Sequence, residues 1–346
     1  MHSKTILMTP LKSLQSRNQY TVGWITALPL ERAAATAVLD EKHGTPLDFD
    51  QPRSDTNSYT WGRVGEHNVV IASLAAGIYG IASAAATALP MLSSFPQIRF
   101  GLLVGIGAGI SRINEGRDIR LGDIAVGQPH GISGGVVQYD LRKAKPGQKH
   151  ERRDFLNRPP EVLLKALANL QAQHELEGPR VLELLEEALT RHPHLTKSKH
   201  GYVHQGFAND HLFKAAYDHV LGTDCCNCDP KEEIQREKRD SADPEIHYGT
   251  IASGNTLIKD AATRDRILEE MGKDCICFEM EAAGLMNNFP CLAIRGICDY
   301  ADSHKNDRWQ RYAAATAAAY AKELLSYCPS ENIQRTQKAI DILKQS

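Results

Sequence analysis

What most constrains this chain is a series of apolar runs that do not alternate. YTVGWITA (20–27), HNVVIASLA (67–75), residues 99–109, residues 123–128, IHYGTIAS (246–253), CICFEME (275–281) and CLAIRGICD (291–299) are rich in Val, Ile, Leu, Ala and Cys. A strand with one wet face alternates apolar and polar residues, whereas an unbroken run suits a strand covered on both faces. Segments of helical character lie between these runs: 29–40, 80–95, 159–177, 181–192, 262–271 and 308–327. Pro29 suits the first turn of its helix, where a missing N–H costs nothing. Strands alternating with helices predict a single α/β domain. Its sheet is expected to be central, twisted, mixed and mostly parallel, with helices on both faces. The domain is placed at 20–328, after a flexible N-terminal segment (1–19) and before a C-terminal tail (329–346). Residues 141–158 and 221–245 read as insertions on that domain.

Charge narrows the partners. Forty Lys and Arg face 42 Asp and Glu, a formal net charge of −2. That balance argues against a nucleic-acid polymer as partner. No stretch reaches the roughly 18–20 apolar residues of a membrane span, so no membrane is expected. The first twenty residues lack the apolar centre of a secretory leader. Eight cysteines in 346 residues are too few for a disulfide scaffold, and a cytoplasmic chain with reduced thiols is expected.

Four short segments could carry chemistry. Gly105-Ile106-Gly107-Ala108-Gly109 ends a strand, where backbone N–H groups can approach a ligand closely. It has neither the spacing of a dinucleotide site nor a Walker lysine, and a plain tight turn explains it equally well. Phe278-Glu279-Met280-Glu281-Ala282 puts two carboxylates where an apolar strand gives way to an expected Ala-rich helix. Carboxylates only accept, which suits the paired hydroxyls of a sugar; a pair stabilised by a helix dipole is the bland alternative. Asp299, in Arg295-Gly296-Ile297-Cys298-Asp299, ends an apolar strand, where burial would favour the protonated form and a general-acid role. Most strand-end aspartates are caps or turns. Ala252-Ser253-Gly254-Asn255 is a turn, with or without a ligand-facing loop.

In order, Ala27-Leu28-Pro29-Leu30-Glu31, Ala76-Gly77-Ile78-Tyr79-Gly80, GIGAG, Leu121-Gly122-Asp123, ASGN, FEMEA and RGICDYAD make a pattern. It resembles the nucleoside phosphorylase/nucleosidase superfamily over residues 20–327, and within it the fungal branch found at the front of immune-type receptors. The resemblance implies cleavage of the N-glycosidic bond of a purine nucleoside, without cofactor or metal, in a homo-oligomer. Asp299 would protonate the base, and Met280 and Glu281 would bind the ribose. Phe278, Asn255, Leu257, Ile258, Gly107 and Ala108 would hold the base. Gly77 and Arg295 would stand at the nucleophile.

The nucleophile turns on position 31. Phosphorylases of this kind place an arginine there to grip phosphate, and nucleosidases an acid that positions water. Glu31 repels phosphate and can take a proton from water. Hydrolysis to base and ribose is therefore expected, with phosphorolysis through Arg32 or Arg295 as the alternative and a non-catalytic nucleoside sensor as a third. The basic run 142–153 would suit a nucleotide's phosphates; otherwise it is a solvated loop. Cys225 and Cys228 form a lone CxxC. It reads as free thiols, with structural zinc or a local disulfide as alternatives.

Overall fold

The computed structural model describes residues 11–143, 151–152, 155–197, 199–271 and 275–344. Ten strands build one sheet: β1 (Val22–Thr26), β2 (Glu41–His43), β3 (Tyr59–Val64), β4 (His67–Ser73), β5 (Phe100–Gly109), β6 (Ile124–Gly127), β7 (Val136–Gln138), β10 (Ile246–Ser253), β11 (Cys275–Glu279) and β12 (Cys291–Asp299). A separate two-stranded ribbon pairs β8 (Arg142–Lys143) with β9 (Glu151–Arg152). The order is β11-β10-β6-β12-β5-β1-β4-β3-β2, with β7 beside β10. Pairings along β10-β11, β10-β6, β10-β7, β12-β5, β1-β5 and β1-β4 are parallel. Those of β12-β6, β2-β3 and β3-β4 are antiparallel. The sheet is thus mixed and mostly parallel, as expected.

One feature lies outside the sequence pattern. β11 also pairs antiparallel with β5, through Cys277–Gly109 and Phe278–Ala108. That contact closes β5, β12, β6, β10 and β11 into a ring. Closure removes a sheet edge and gathers the ends of β5, β11 and β12 around one opening.

Helices cover both faces. α1 (Pro29–Ala37), α3 (Glu161–Glu177), α4 (Val181–Arg191) and α6 (Gln310–Ser326) pack one core with Trp24, Leu102 and Ile294. α2 (Ile81–Ser94) packs the other, with Ile25, Leu103 and Phe289. α6 is buried almost all round. Its alanines let it lie against β12, where a Cβ at Gly296 would sit 1.8 Å from the Ala313 carbonyl oxygen. α5 (Ala261–Met271) follows β10. No helix among the described residues is long and apolar enough to cross a membrane.

The segments outside the expected domain are more attached than a lead-in and a tail suggest. Gly44 N–H donates to the Lys12 carbonyl, and Asp48 accepts from Ser16 Oγ and Arg17 N–H, so 11–19 lie against 44–48. After residue 329, α7 (Ser330–Arg335) and α8 (Ala339–Leu343) follow; Ile333 and Ala339 are buried, and Ala339 N–H donates to the Ile98 carbonyl. The Ala-rich helix expected after Glu281 is only a three-residue turn, Ala282–Gly284. Gly284 is pressed onto α2, where a Cβ would meet the Ile81 carbonyl oxygen at 2.1 Å. Pro290 follows six residues after Gly284 and disfavours helix just before it.

Candidate active site

A cavity of about 360 Å³ opens where the ends of β5, β11 and β12 meet the start of α1. Glu31, Gly107, Ala108, Leu257, Ile258, Phe278, Met280, Glu281 and Asp299 all line it. Residues from Glu31 to Asp299 converge because the ring brings their strand ends together.

Three carboxylates, Glu31, Glu279 and Glu281, meet at its inner wall with Arg295 behind them. Glu31 reaches back from the first turn of α1: Oε2 accepts from Ala27 N–H at 2.7 Å and Leu28 N–H at 2.9 Å, and Oε1 from Ile106 N–H at 2.8 Å. A carboxylate has about four acceptor sites, so one on Oε1 stays open. Burial pushes the Glu31 carboxyl up, while Arg295 and the three N–H groups pull it down. Arg295 is fully buried and bridges Glu279 to Glu281, whose Oε2 lies 3.3 Å from Nη2. Glu279 also accepts from the N–H groups of Glu281 and Ala282 at 3.0 Å, holding the turn that aims Glu281. Gly105 makes room: a Cβ there would lie 2.5 Å from both Arg295 Nη1 and Glu31 Oε1.

Glu281 Oε1 accepts from Gly80 N–H at 3.2 Å. Burial pushes its carboxyl from 4.5 up to about 7; Arg295 opposes the rise, and the charges of Glu279 and Glu31 add to it. The folded value lies above the unfolded one. Between these values the folded chain keeps a proton that the unfolded chain releases, so this contribution to stability is present at low pH and lost as pH rises through the window. Ionised, this carboxylate could accept from the hydroxyls of a substrate. Expected, therefore, is a kcat/KM that climbs with pH to a plateau above about 7, while thermal stability falls over the same range. A pH–rate profile beside thermal melts checks this; melts of Glu281→Gln should lose that pH dependence.

Across the cavity, Asp299 is 4% exposed. Oδ1 accepts from Ala301 N–H at 3.0 Å, and Oδ2 accepts from Lys305 Nζ at 2.7 Å and Cys298 Sγ at 3.1 Å. Burial works against the Lys305 charge, but Asp299 outweighs it and the ammonium is held more firmly than usual. Between the two charged ends the wall is apolar: Phe278, Ile106, Ala108, Leu257, Ile258 and Ala301. Tyr139 braces Phe278 edge-on at 5.5 Å.

Three expected site residues stand elsewhere. Asn255 is tied up outside the lining: its Oδ1 accepts from Ile81 N–H at 3.2 Å, at the start of α2, and its own N–H donates to Asp140 at 2.8 Å. Gly77, with φ of +79°, shapes an exposed turn next to Tyr79 and is not in the lining, although Tyr79 is. Arg295 lies behind the carboxylates, where it has no open face on the cavity. Arg32 is turned away, donating to Ser73 Oγ at 3.1 Å and Thr60 Oγ1 at 3.0 Å. Lys305 and Lys259 also line the cavity; the sequence signals Lys305 only by its position six residues after Asp299. Most of the basic run 142–153 lies outside the described residues.

A family model described as the Phosphorylase superfamily matches residues 21–326. A nucleotide-binding leucine-rich repeat (NLR)-like protein of Hyaloscypha variabilis is 47% identical over 307 residues, 89% of this chain and 29% of that protein. ATP nucleosidase Cap17 of Escherichia coli is 26% identical over 315 residues, 88% of this chain and 50% of that protein. The chain therefore spans half or less of the length of these curated relatives. Among solved structures, a putative 5′-methylthioadenosine/S-adenosylhomocysteine nucleosidase of Borrelia burgdorferi, bound to adenine, superposes with a TM-score of 0.57 at 17% identity, over 88% of this chain and 99% of its own. That identity speaks for the fold alone, but the family match runs through every strand of the ring: the chain belongs to the phosphorylase superfamily.

Proposed function

We propose that this chain is a purine nucleoside N-ribosidase that hydrolyses the N-glycosidic bond to free base and ribose. The observation that carries the reading is Glu31: a cavity-lining carboxylate with three acceptor sites filled by backbone N–H groups and one open, which suits a water. The nearby guanidiniums do not suit phosphate, since Arg295 is engaged by Glu279 and Glu281 and Arg32 faces away. Water adds to the anomeric carbon and gives its proton to Glu31. The bond to the base breaks, its electron pair goes to the base, and Asp299 in its protonated form delivers a proton there and regains one from solvent, while Glu31 releases the one it took. Charge leaving the sugar is thereby neutralised as it develops. Glu281 accepts the ribose hydroxyls above Met280, and the apolar wall holds the base. A bound adenine in one structural neighbour supports a purine.

Nucleotides are the second reading. Lys259 lines the cavity, and one relative is named an ATP nucleosidase. Incubating the chain with purine nucleosides and nucleotides, with and without phosphate, and separating the products tests both readings. Ribose or ribose phosphate released without added phosphate is expected; ribose 1-phosphate formed only with phosphate would overturn the hydrolytic step. Turnover of nucleotides alone would favour the second reading.

The sugar contact gives a further expected result. A 2′-deoxyribonucleoside lacks one hydroxyl that Glu281 would accept. Losing a hydrogen bond to a charged group costs roughly 1.5–3 kcal/mol, so kcat/KM should fall about 10- to 150-fold. Steady-state rates on matched ribo- and deoxyribonucleosides measure it, and equal rates would remove Glu281 from the sugar.

A further inference from the structure

A second, smaller cavity shares Cys298, Asp299 and Lys305 with the substrate cavity, and Cys225, His211, Asp302 and His304 also line it. Here the segment 219–228 meets the loop 302–305. Cys225 opens a one-turn 3-10 helix (Cys225–Asn227), closed by the Cys228 N–H donating to the Cys225 carbonyl at 3.1 Å. Asp224 caps it, accepting from Cys226 N–H at 3.1 Å. The turn leaves Cys226 exposed, Cys225 partly buried and Cys228 buried. His219 joins the last two: one ligand atom from each of His219, Cys225 and Cys228 lies within 4.8 Å of the others.

Two further observations point to a ligand. His219 Nε2 lies 2.9 Å from the Asp224 carbonyl oxygen. A carbonyl only accepts, so Nε2 carries a proton; in the neutral ring Nδ1 is then the free nitrogen, the tautomer of an imidazole that binds metal through one nitrogen and donates with the other. Beside it, His304 is 6% exposed, and neither of its ring nitrogens makes a hydrogen bond among the described residues. Its ring stacks on Phe213 at 4.1 Å, but a buried imidazole whose nitrogens make no hydrogen bond calls for an explanation. Its ring centroid is 5.4 Å from that of His219, at 74°. Its Nδ1 lies 3.7 Å from Asp302 Oδ1, a carboxylate placed to orient it.

We propose that His219, Cys225 and Cys228 hold a structural zinc ion, and that His304, which stands beside this cluster and outside it, turns in as the fourth, tetrahedral ligand. With Zn–S of about 2.3 Å and Zn–N of about 2.0 Å, sulphur ligands stand about 3.8 Å apart and imidazole centroids about 5 Å apart. The His219–His304 centroid spacing of 5.4 Å is close to that; the three-residue cluster needs to contract by about 1 Å, and a His304 nitrogen must swing in to join it. Two thiolates and two imidazoles suit zinc over calcium or magnesium. Four protein ligands close the site, so the ion holds structure and activates no water. The thiols release their protons to solvent on binding. The ion ties 219–228 to the loop that ends in Lys305, the partner of Asp299. His219 N–H donating to Ser303 Oγ at 3.0 Å joins the same two segments.

The test uses the full chain, purified with reductant and without chelator. Elemental analysis should find about one zinc per chain. Cys225→Ser, Cys228→Ser and His219→Ala should each lose most of it, and His304→Ala should bind it more weakly. Cys226→Ser is the control and should keep it. Should the variants fail to fold, cobalt(II) substitution of the unaltered chain decides: a thiolate-to-cobalt charge-transfer band with tetrahedral visible bands is expected. A reduced chain that takes up neither metal, a zinc content unchanged by Cys225→Ser, or a Cys225–Cys228 disulfide that persists under reductant would each overturn the proposal.

Discussion

Asp299→Asn should fold like the parent and lose on the order of 10²–10⁴-fold in kcat, the usual worth of a general acid. The amide oxygen can still accept from Ala301 N–H, as Oδ1 does at 3.0 Å. That bond matters because Ala301 sits at φ of +54°, a conformation unfavourable for a residue with a Cβ. The amide end instead meets the Lys305 ammonium, donor against donor, so a modest loss of stability accompanies the loss of rate. A substrate with a leaving group that needs no proton, such as a nitrophenyl riboside, separates the two effects. Its hydrolysis should be nearly unaffected if Asp299 acts as the acid. An equal loss on both substrates would make Asp299 a structural residue.

Glu31→Gln should be comparably severe, about 10²–10⁴-fold, because an amide cannot take the proton of the attacking water. In a phosphorylase the same change would be mild, since phosphate arrives as an anion. The substitution also has a structural cost. Three N–H groups point at the two carboxylate oxygens, and the Gln NH₂ must face at least one of them. An unmade buried hydrogen bond costs roughly 1–3 kcal/mol, so a drop in melting temperature is expected with the loss of rate. Assays held well below the melting transition isolate the chemical effect. Full activity of Glu31→Gln, or turnover strictly dependent on phosphate, would sink the hydrolytic reading.

The linear chain was most readable where each segment's own pattern decides its state. The runs at 67–75, 246–253 and 291–299 contain strands His67–Ser73, Ile246–Ser253 and Cys291–Asp299, because a doubly covered strand must be apolar on both faces. Helices such as Val181–Arg191 were legible from their apolar period. Short β2, β3 and β7 were not, since strands of three to six residues carry little pattern of their own and form by pairing. The helix expected after Glu281 failed for the opposite reason: Ala282 and Ala283 favour helix locally, but packing of Gly284 on α2 left room for one turn.

The site divides along the same line. Glu31, Glu281 and Asp299 could be singled out in the sequence because a carboxylate at the end of an apolar strand, or just past a Pro-Leu helix start, is chemically conspicuous. Their convergence could not, because it depends on β11 turning back to pair with β5 and close the ring. The placing of Asn255 at the start of α2, of Arg295 behind three carboxylates and of Lys305 on Asp299 likewise came from contacts 6 to 264 residues apart in the chain. The sequence by itself determined which segments are strands and helices and which side chains carry charge into apolar surroundings, since these follow from local pattern and the cost of burial. Only the tertiary structure decided which charges face one another, because a buried guanidinium or carboxylate takes its role from whichever partner the fold sets beside it.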